Sequence, residues 1–137
     1  MRYWLLKTEP DEWSWHEQVK SGKKGAEWSG VRNYQAQKNL KNMKLDDKCF
    51  FYHTGKSKSI VGVVTVVKKA FLDKTDRTKK FVSIIVKAAY PLKREVTLQE
   101  IKKNKVFRDF SLVKQSRLSV MRVNLKYWKK ICKMGKV

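Results

Sequence analysis

The chain has 137 residues, with 33 Lys and Arg against 12 Asp and Glu, for a formal net charge of +21. That length suffices for one hydrophobic core, and a 42% apolar share with 12% aromatics excludes a disordered basic tail. A surface of this sign draws polyanions, nucleic acid before anionic membrane or acidic protein, although a lysine-heavy composition also accumulates without any ligand.

In chain order, "RYWLL" is a short aromatic and aliphatic run stopped by "EPD", and reads as a buried strand. Ser14 and Glu17 have capping-box spacing, so a helix is expected over 15–20, ending near Gly22. "SGKKGAEWSG" reads as a glycine-rich loop holding one large aromatic, Trp28. From Asn33 the positions Tyr34, Leu40 and Met43, with Ala36 between, suit a helix lying on the core. Residues 49–53 and 60–72 read as strands joined by a polar turn, with Gly62 a bulge or a point of close approach. "DKTDRTKK" is a second polar turn, and "FVSIIVKAAYPL" a further strand ended by Pro91. Thr97 and Glu100 form a second capping box before "LQEIKKN". Asn124 caps a last helix striped by Leu125, Trp128, Ile131 and Cys132 and stopped at Gly135. No linker or repeat interrupts the series, so one domain spanning 1–137 is expected. Its class is α+β, with neighbouring strands pairing antiparallel; a curled sheet plugged by short helices and a flatter sandwich both fit the pattern.

Cys49 and Cys132 are far apart and read as small buried hydrophobes. With only His16 and His53 beside them, neither a metal nor a cofactor is expected. "MRYWLLKTEP" lacks a signal-peptide pattern, and no run is long enough to cross a bilayer, so a cytoplasmic, reducing location is expected without a membrane partner. The motifs of hydrolase elbows, P-loops, dinucleotide sites and zinc deaminases are missing, which speaks against an enzyme.

The segments "YWLLKTEPDEWSW", "WSGVRNYQAQKNL", "CFFYHTG", "IVGVVTVV" and "SRLSV" stand in the order and approximate spacing of the EVE domain, a group that includes the thymocyte nuclear protein family. Over nearly the whole chain, the sequence resembles that family. The resemblance implies a PUA-like pseudo-barrel of mostly antiparallel strands surrounded by short helices. It further implies a non-enzymatic reader of modified nucleobases, methylated or hydroxymethylated, in DNA more than RNA; a monomer is expected. Two positions depart from the family pattern: Thr8 stands where Ser is common, and Arg122 where a proline is usual. The resemblance is to minimal, bacterial-type members, for which no extra basic N-terminal tail is expected.

A pocket for an extruded base needs an aromatic plate, polar partners for the base edge, and cations for the flanking phosphates. Trp28, Tyr34 and Tyr52 are candidate plates, and Asn33 offers a donor and an acceptor on one amide. Thr8, Ser29, Ser116 and Ser119 are adaptable hydroxyls, His53 is a further polar candidate, and Lys7, Arg32 and Arg117 are suited to phosphate. Structural roles compete for each: Trp28 as a lid on the core, Asn33 as a helix cap, His53 as the end of a strand. Trp4, Trp13, Trp15 and Trp128 read as core or capping aromatics, Glu9 as a turn anchor or an acceptor for a base amino group, and Arg117 as a phosphate contact or a partner of Glu9 or Asp11. The alternative to a reader is a general RNA- or DNA-binding module whose cavity is a packing feature.

Overall fold

The first apolar run becomes strand β1, Tyr3–Thr8, in a computed structural model that describes residues 1–137. Its consecutive residues Trp4, Leu5 and Leu6 are all buried, so both faces of the sheet are covered there. The remaining strands are β2 (Ala26–Trp28), β3 (Lys48–His53), β4 (Ser59–Leu72), β5 (Val82–Thr97) and β6 (Val120–Val123). They form one six-stranded sheet in the order β2-β5-β4-β3-β1-β6. Only β1 and β3 run parallel; the other neighbours are antiparallel.

The helices are α1 (Trp15–Lys20), α2 (Tyr34–Asn42), α3 (Leu98–Lys103), α4 (Ser111–Lys114) and α5 (Leu125–Met134), with short 3-10 turns at Gly22–Lys24 and Lys105–Phe107. Both expected capping boxes form, Ser14 with Glu17 and Thr97 with Glu100, and the Asn124 side chain accepts from the backbone N–H of Tyr127. No helix is long and apolar enough to cross a membrane.

Sequence pattern left the shape of the sheet open, and α2 decides it. The Gln37 amide, buried on this helix, donates to Val31 O (2.8 Å) and Val82 O (3.0 Å) and accepts from Val82 N (2.9 Å), tying α2 to β5. Two residues on, Asn39 Nδ2 donates to Val120 O of β6 at 2.8 Å. In a flat sheet β5 and β6 would lie about 19 Å apart, four steps of about 4.8 Å. A helix is only about 10 Å across. The sheet therefore curls until one helix reaches both strands, giving the PUA-like pseudo-barrel.

Two segments differ from expectation, and a third had none. Pro91 does not end its strand, because β5 continues to Thr97. Pro91 sits opposite Gly62 where the β4–β5 register is broken on either side, so its missing N–H costs no regular ladder bond. Residues 26–28 are a strand rather than loop, paired Ala26↔Val86 through Trp28↔Ile84. The "SRLSV" segment leads into β6, a pairing to β1 that no local pattern announces. Gly62 is both a bulge and a close approach: a Cβ there would lie 2.5 Å from the Trp15 indole. Its bare backbone lets α1 lie on the sheet, and that seats the Glu9–Ser14 turn beside the ends of β1 and β3.

Candidate functional site

Because β1 and β3 are parallel, they end side by side, with Thr8 opposite His53. Thr54 N donates to Thr8 O and Lys7 N donates to Ser119 O, both at 2.9 Å. Four polar residues from distant parts of the chain, Lys7, Thr8, Thr54 and Ser119, thereby meet at one end of the barrel. The chain then turns tightly after β1: the backbone N–H groups of Glu12 and Trp13 both donate to Glu9 O, at 3.0 and 2.9 Å. That turn and the segment from Glu27 to Arg32 wall an open cavity of about 520 Å³ over those residues.

Two indoles line it. Trp28 is 7% exposed and sets its ring edge-on to Phe51, with centroids 5.6 Å apart. Most of this ring is core, and the remainder is cavity wall. Trp13 is half-buried, and its Nε1 donates to Gln18 Oε1 at 2.8 Å, which fixes the ring orientation. Gln18 is itself held by Val86 O at 2.9 Å.

The loop side hangs on one carboxylate. Asp73, at the end of β4 and 2% exposed, accepts from Gly30 N (2.8 Å), Arg32 Nη1 (3.0 Å), Thr75 N (2.8 Å) and Thr75 Oγ1 (2.6 Å). Burial by itself would raise this carboxyl, but the bonds from Thr75, Gly30 and Arg32 outweigh it and hold its pKa at about 2. Gly30 takes φ +79°, which an L side chain adopts only with strain, and so presents its N–H to Asp73. Arg32 also donates to Thr75 Oγ1 at 3.0 Å and lies 4.9 Å from the Phe81 ring centroid. Its guanidinium is fixed at the rim before any ligand arrives.

Of the residues singled out from sequence, Lys7, Thr8, Trp28, Ser29, Arg32 and Ser119 line this cavity. Asn33 does not; its Oδ1 accepts from Ala36 N at 2.9 Å as the N-cap of α2. Tyr34 points outward, 76% exposed, against Phe81. His53 Nε2 accepts from Trp15 N at 3.1 Å, and burial holds the imidazole below its ordinary pKa despite a smaller upward pull from Glu95. Tyr52 faces a separate cavity with Ser116, and burial raises its phenol to about 12. Arg117 borders a shallow groove with Asn33 and forms no ion pair with Glu9 or Asp11. Sequence reasoning missed Trp13, Thr54, Glu12 and Glu27 as lining residues, and it leaned towards Glu9 as a turn anchor, whereas Glu9 both anchors the turn through its carbonyl and lines the cavity. The acid-rich "EPDEW" run was the available signal, since carboxylates are scarce in this chain.

The Asn33 result makes a direct test. Asn33→Ala is expected to lower stability by about 1 kcal/mol through loss of the cap. Urea denaturation will show that drop, while any ligand preference of the cavity stays unchanged.

A strongly curled α+β sheet with a polar cavity at the joined ends of β1 and β3 defines a PUA-like domain. The family model described as the EVE domain matches residues 2–134, and the chain belongs to that family. A solution structure of a protein from Rhodopseudomonas palustris is 43% identical, with a TM-score of 0.94, covering 99% of this chain and 94% of that one. The structure of human THYN1 protein in complex with 5-methylcytosine-containing DNA is 26% identical, with a TM-score of 0.89, covering 100% and 99%. Mouse thymocyte nuclear protein 1 is 35% identical over 124 residues, covering 73% of this chain. The chain spans about half the length of the curated relatives it matches first, 55% in the mouse protein.

Proposed function

We propose that this protein binds nucleic acid and seats one extruded, modified nucleobase in the cavity beside Trp28, as a monomeric reader that catalyses no reaction. The charge of the cavity carries the reading. In a chain of net charge +21, Glu9, Glu12 and Glu27, three of its 12 acidic residues, line this one concavity. The two cations there are Lys7 and Arg32; Arg32 is already paired with Asp73 and Glu27 with the exposed Lys74, which leaves Glu9 and Glu12 facing Lys7. Such a lining disfavours phosphate inside and suits a neutral group bearing N–H donors. Cytosine and adenine offer an exocyclic amine of this kind, which carboxylates accept from. Thr8, Ser29 and Ser119 supply hydroxyls for the rest of the base edge, and the cationic exterior holds the backbone. The human relative bound to 5-methylcytosine-containing DNA supports the same assignment.

The test uses labelled oligonucleotides carrying 5-methylcytosine, 5-hydroxymethylcytosine, cytosine or thymine at one position. One extra buried methyl is worth about 0.8 kcal/mol, so the expected preference for 5-methylcytosine over cytosine is about fourfold. Thymine, which lacks the amine, should bind about tenfold more weakly than 5-methylcytosine, because a carboxylate is then left unpaired. Glu12→Gln should narrow the second gap and Trp28→Phe the first, with the oligonucleotides unchanged in mass after incubation. Equal binding of all four would leave a general nucleic-acid-binding module and end the reader assignment.

A further inference from the structure

The cavity beside Trp28 has a neighbour whose character is opposite. Lys7 and Thr54 line both, so they form a shared wall. The neighbour is smaller, about 230 Å³, with an apolar bed of Tyr52, Leu98, Leu112 and Val113. Its rim carries Lys7, Lys58 and Lys102 and no carboxylate. Lys58, Leu98 and Lys102 in turn line a further groove that adds Lys56 and again holds no acidic residue. Three concavities thus follow one another, each sharing residues with the next, and only the first is acidic.

The wall between the first two is built and not merely solvated. The ammonium of Lys7 donates to Ser116 O at 3.0 Å and lies 5.7 Å from the centroid of the Tyr52 ring. Burial holds that ammonium below its ordinary pKa, so it gains by meeting an anion. At 230 Å³ the second cavity falls below the roughly 300 Å³ at which sites for drug-sized molecules begin. It has room for one planar or sugar-sized piece of a ligand, not for a cofactor. A bed of ring and aliphatic side chains under a cationic rim matches one nucleotide: apolar face down, phosphate up.

From this arrangement we infer that the second cavity holds the nucleotide adjoining the extruded one, with its phosphate on Lys58 and Lys102, so that the strand leaves the first cavity over Lys7. The inference rests on the reading of the first cavity as a base site. It adds the course of the strand, which that reading leaves open.

The experiment pairs a protein change with a backbone change. Lys58→Gln/Lys102→Gln alters two exposed side chains, and Lys126→Gln/Lys130→Gln on α5 is the matched control. Each protein is titrated with the 5-methylcytosine oligonucleotide in which single phosphates are replaced by neutral methylphosphonates. On the unmodified backbone the first pair should lose about tenfold in affinity and flatten the salt slope by about one. The preference for 5-methylcytosine over cytosine should be unchanged. With the methylphosphonate next to the modified nucleotide on one side, that pair and wild type should bind equally; with it two or more steps away, the tenfold gap should remain. The control pair should show no dependence on linkage position.

A gap that persists with either adjoining phosphate neutral, or no gap at all, overturns the inference while the base-site reading stands. Failure of the wild-type protein to bind any of the oligonucleotides overturns both.

Discussion

Replacing Asp73 by alanine is expected to cost the fold about 3–5 kcal/mol and to remove cavity binding with it. This carboxylate is 2% exposed and accepts from Gly30 N, Arg32 Nη1, Thr75 N and Thr75 Oγ1. Alanine leaves two backbone N–H groups, a hydroxyl and a guanidinium without their partner. Arg32 is 38% exposed, so water recovers part of its loss and the lower end of the range is expected. Urea denaturation should show a large fall in midpoint with little change in slope. Asp73→Asn keeps the shape and an acceptor for Gly30, so it should fall between the two.

The pH dependence has a definite sign. The folded pKa of Asp73 is about 2, below its ordinary value of 3.8. A carboxyl depressed in the folded state adds stability above its unfolded pKa and loses it as pH falls through the folded one. Wild type should therefore lose this contribution between about pH 4 and pH 2. The alanine variant should lack that part of its acid transition. Equal acid profiles for the two would show that the loop does not hang on this carboxylate.

The second large effect concerns salt. If only four phosphates are neutralised on a duplex, the slope of log affinity against log salt is about −3.6, and affinity falls about a hundredfold between 50 and 200 mM. The ratio between modified and unmodified oligonucleotides should hold constant over the same range. Both ligands present identical phosphates to the cationic exterior, whereas the difference between them is a neutral group inside the cavity. Anisotropy titrations at two ionic strengths measure both quantities. A ratio that collapses with salt would mean that the preference is carried by phosphate contacts and not by the cavity.

Much of the local structure was legible because its causes are local. Ser14 with Glu17 and Thr97 with Glu100 satisfy each other's backbone N–H groups within one turn, so their spacing alone announces a helix start. The β-branched run of β4 needs only its own residues to favour an extended chain. The five motifs spread along the chain sufficed to name the family. Half of the candidate residues, Trp28, Thr8 and Lys7 among them, also meet at one cavity.

The rest depended on what lies across the fold. Asn33 has the right chemistry for a base edge as well as for a helix cap; its side-chain oxygen caps α2 by accepting from Ala36 N, and what only the fold decides is that the cavity lies elsewhere. Tyr34 begins the same helix on the face away from Ala36, Gln37 and Leu40, so it meets solvent. Trp13 looked like a core aromatic, and it becomes cavity wall because the Glu9 carbonyl turns the chain back over the end of β1.

The amino-acid sequence by itself determined the family, the cationic exterior, most strands and the caps of the helices, since each follows from composition or from residues a few positions apart. Tertiary structure alone decided that β1 lies parallel to β3, that α2 closes the curl, and that Asp73 reaches Gly30 and Arg32 across more than 40 positions. Those choices set the cavity and its acidic lining. Their reason is that a buried hydrogen bond satisfies donors wherever the fold brings them together, and spacing along the chain carries no record of it.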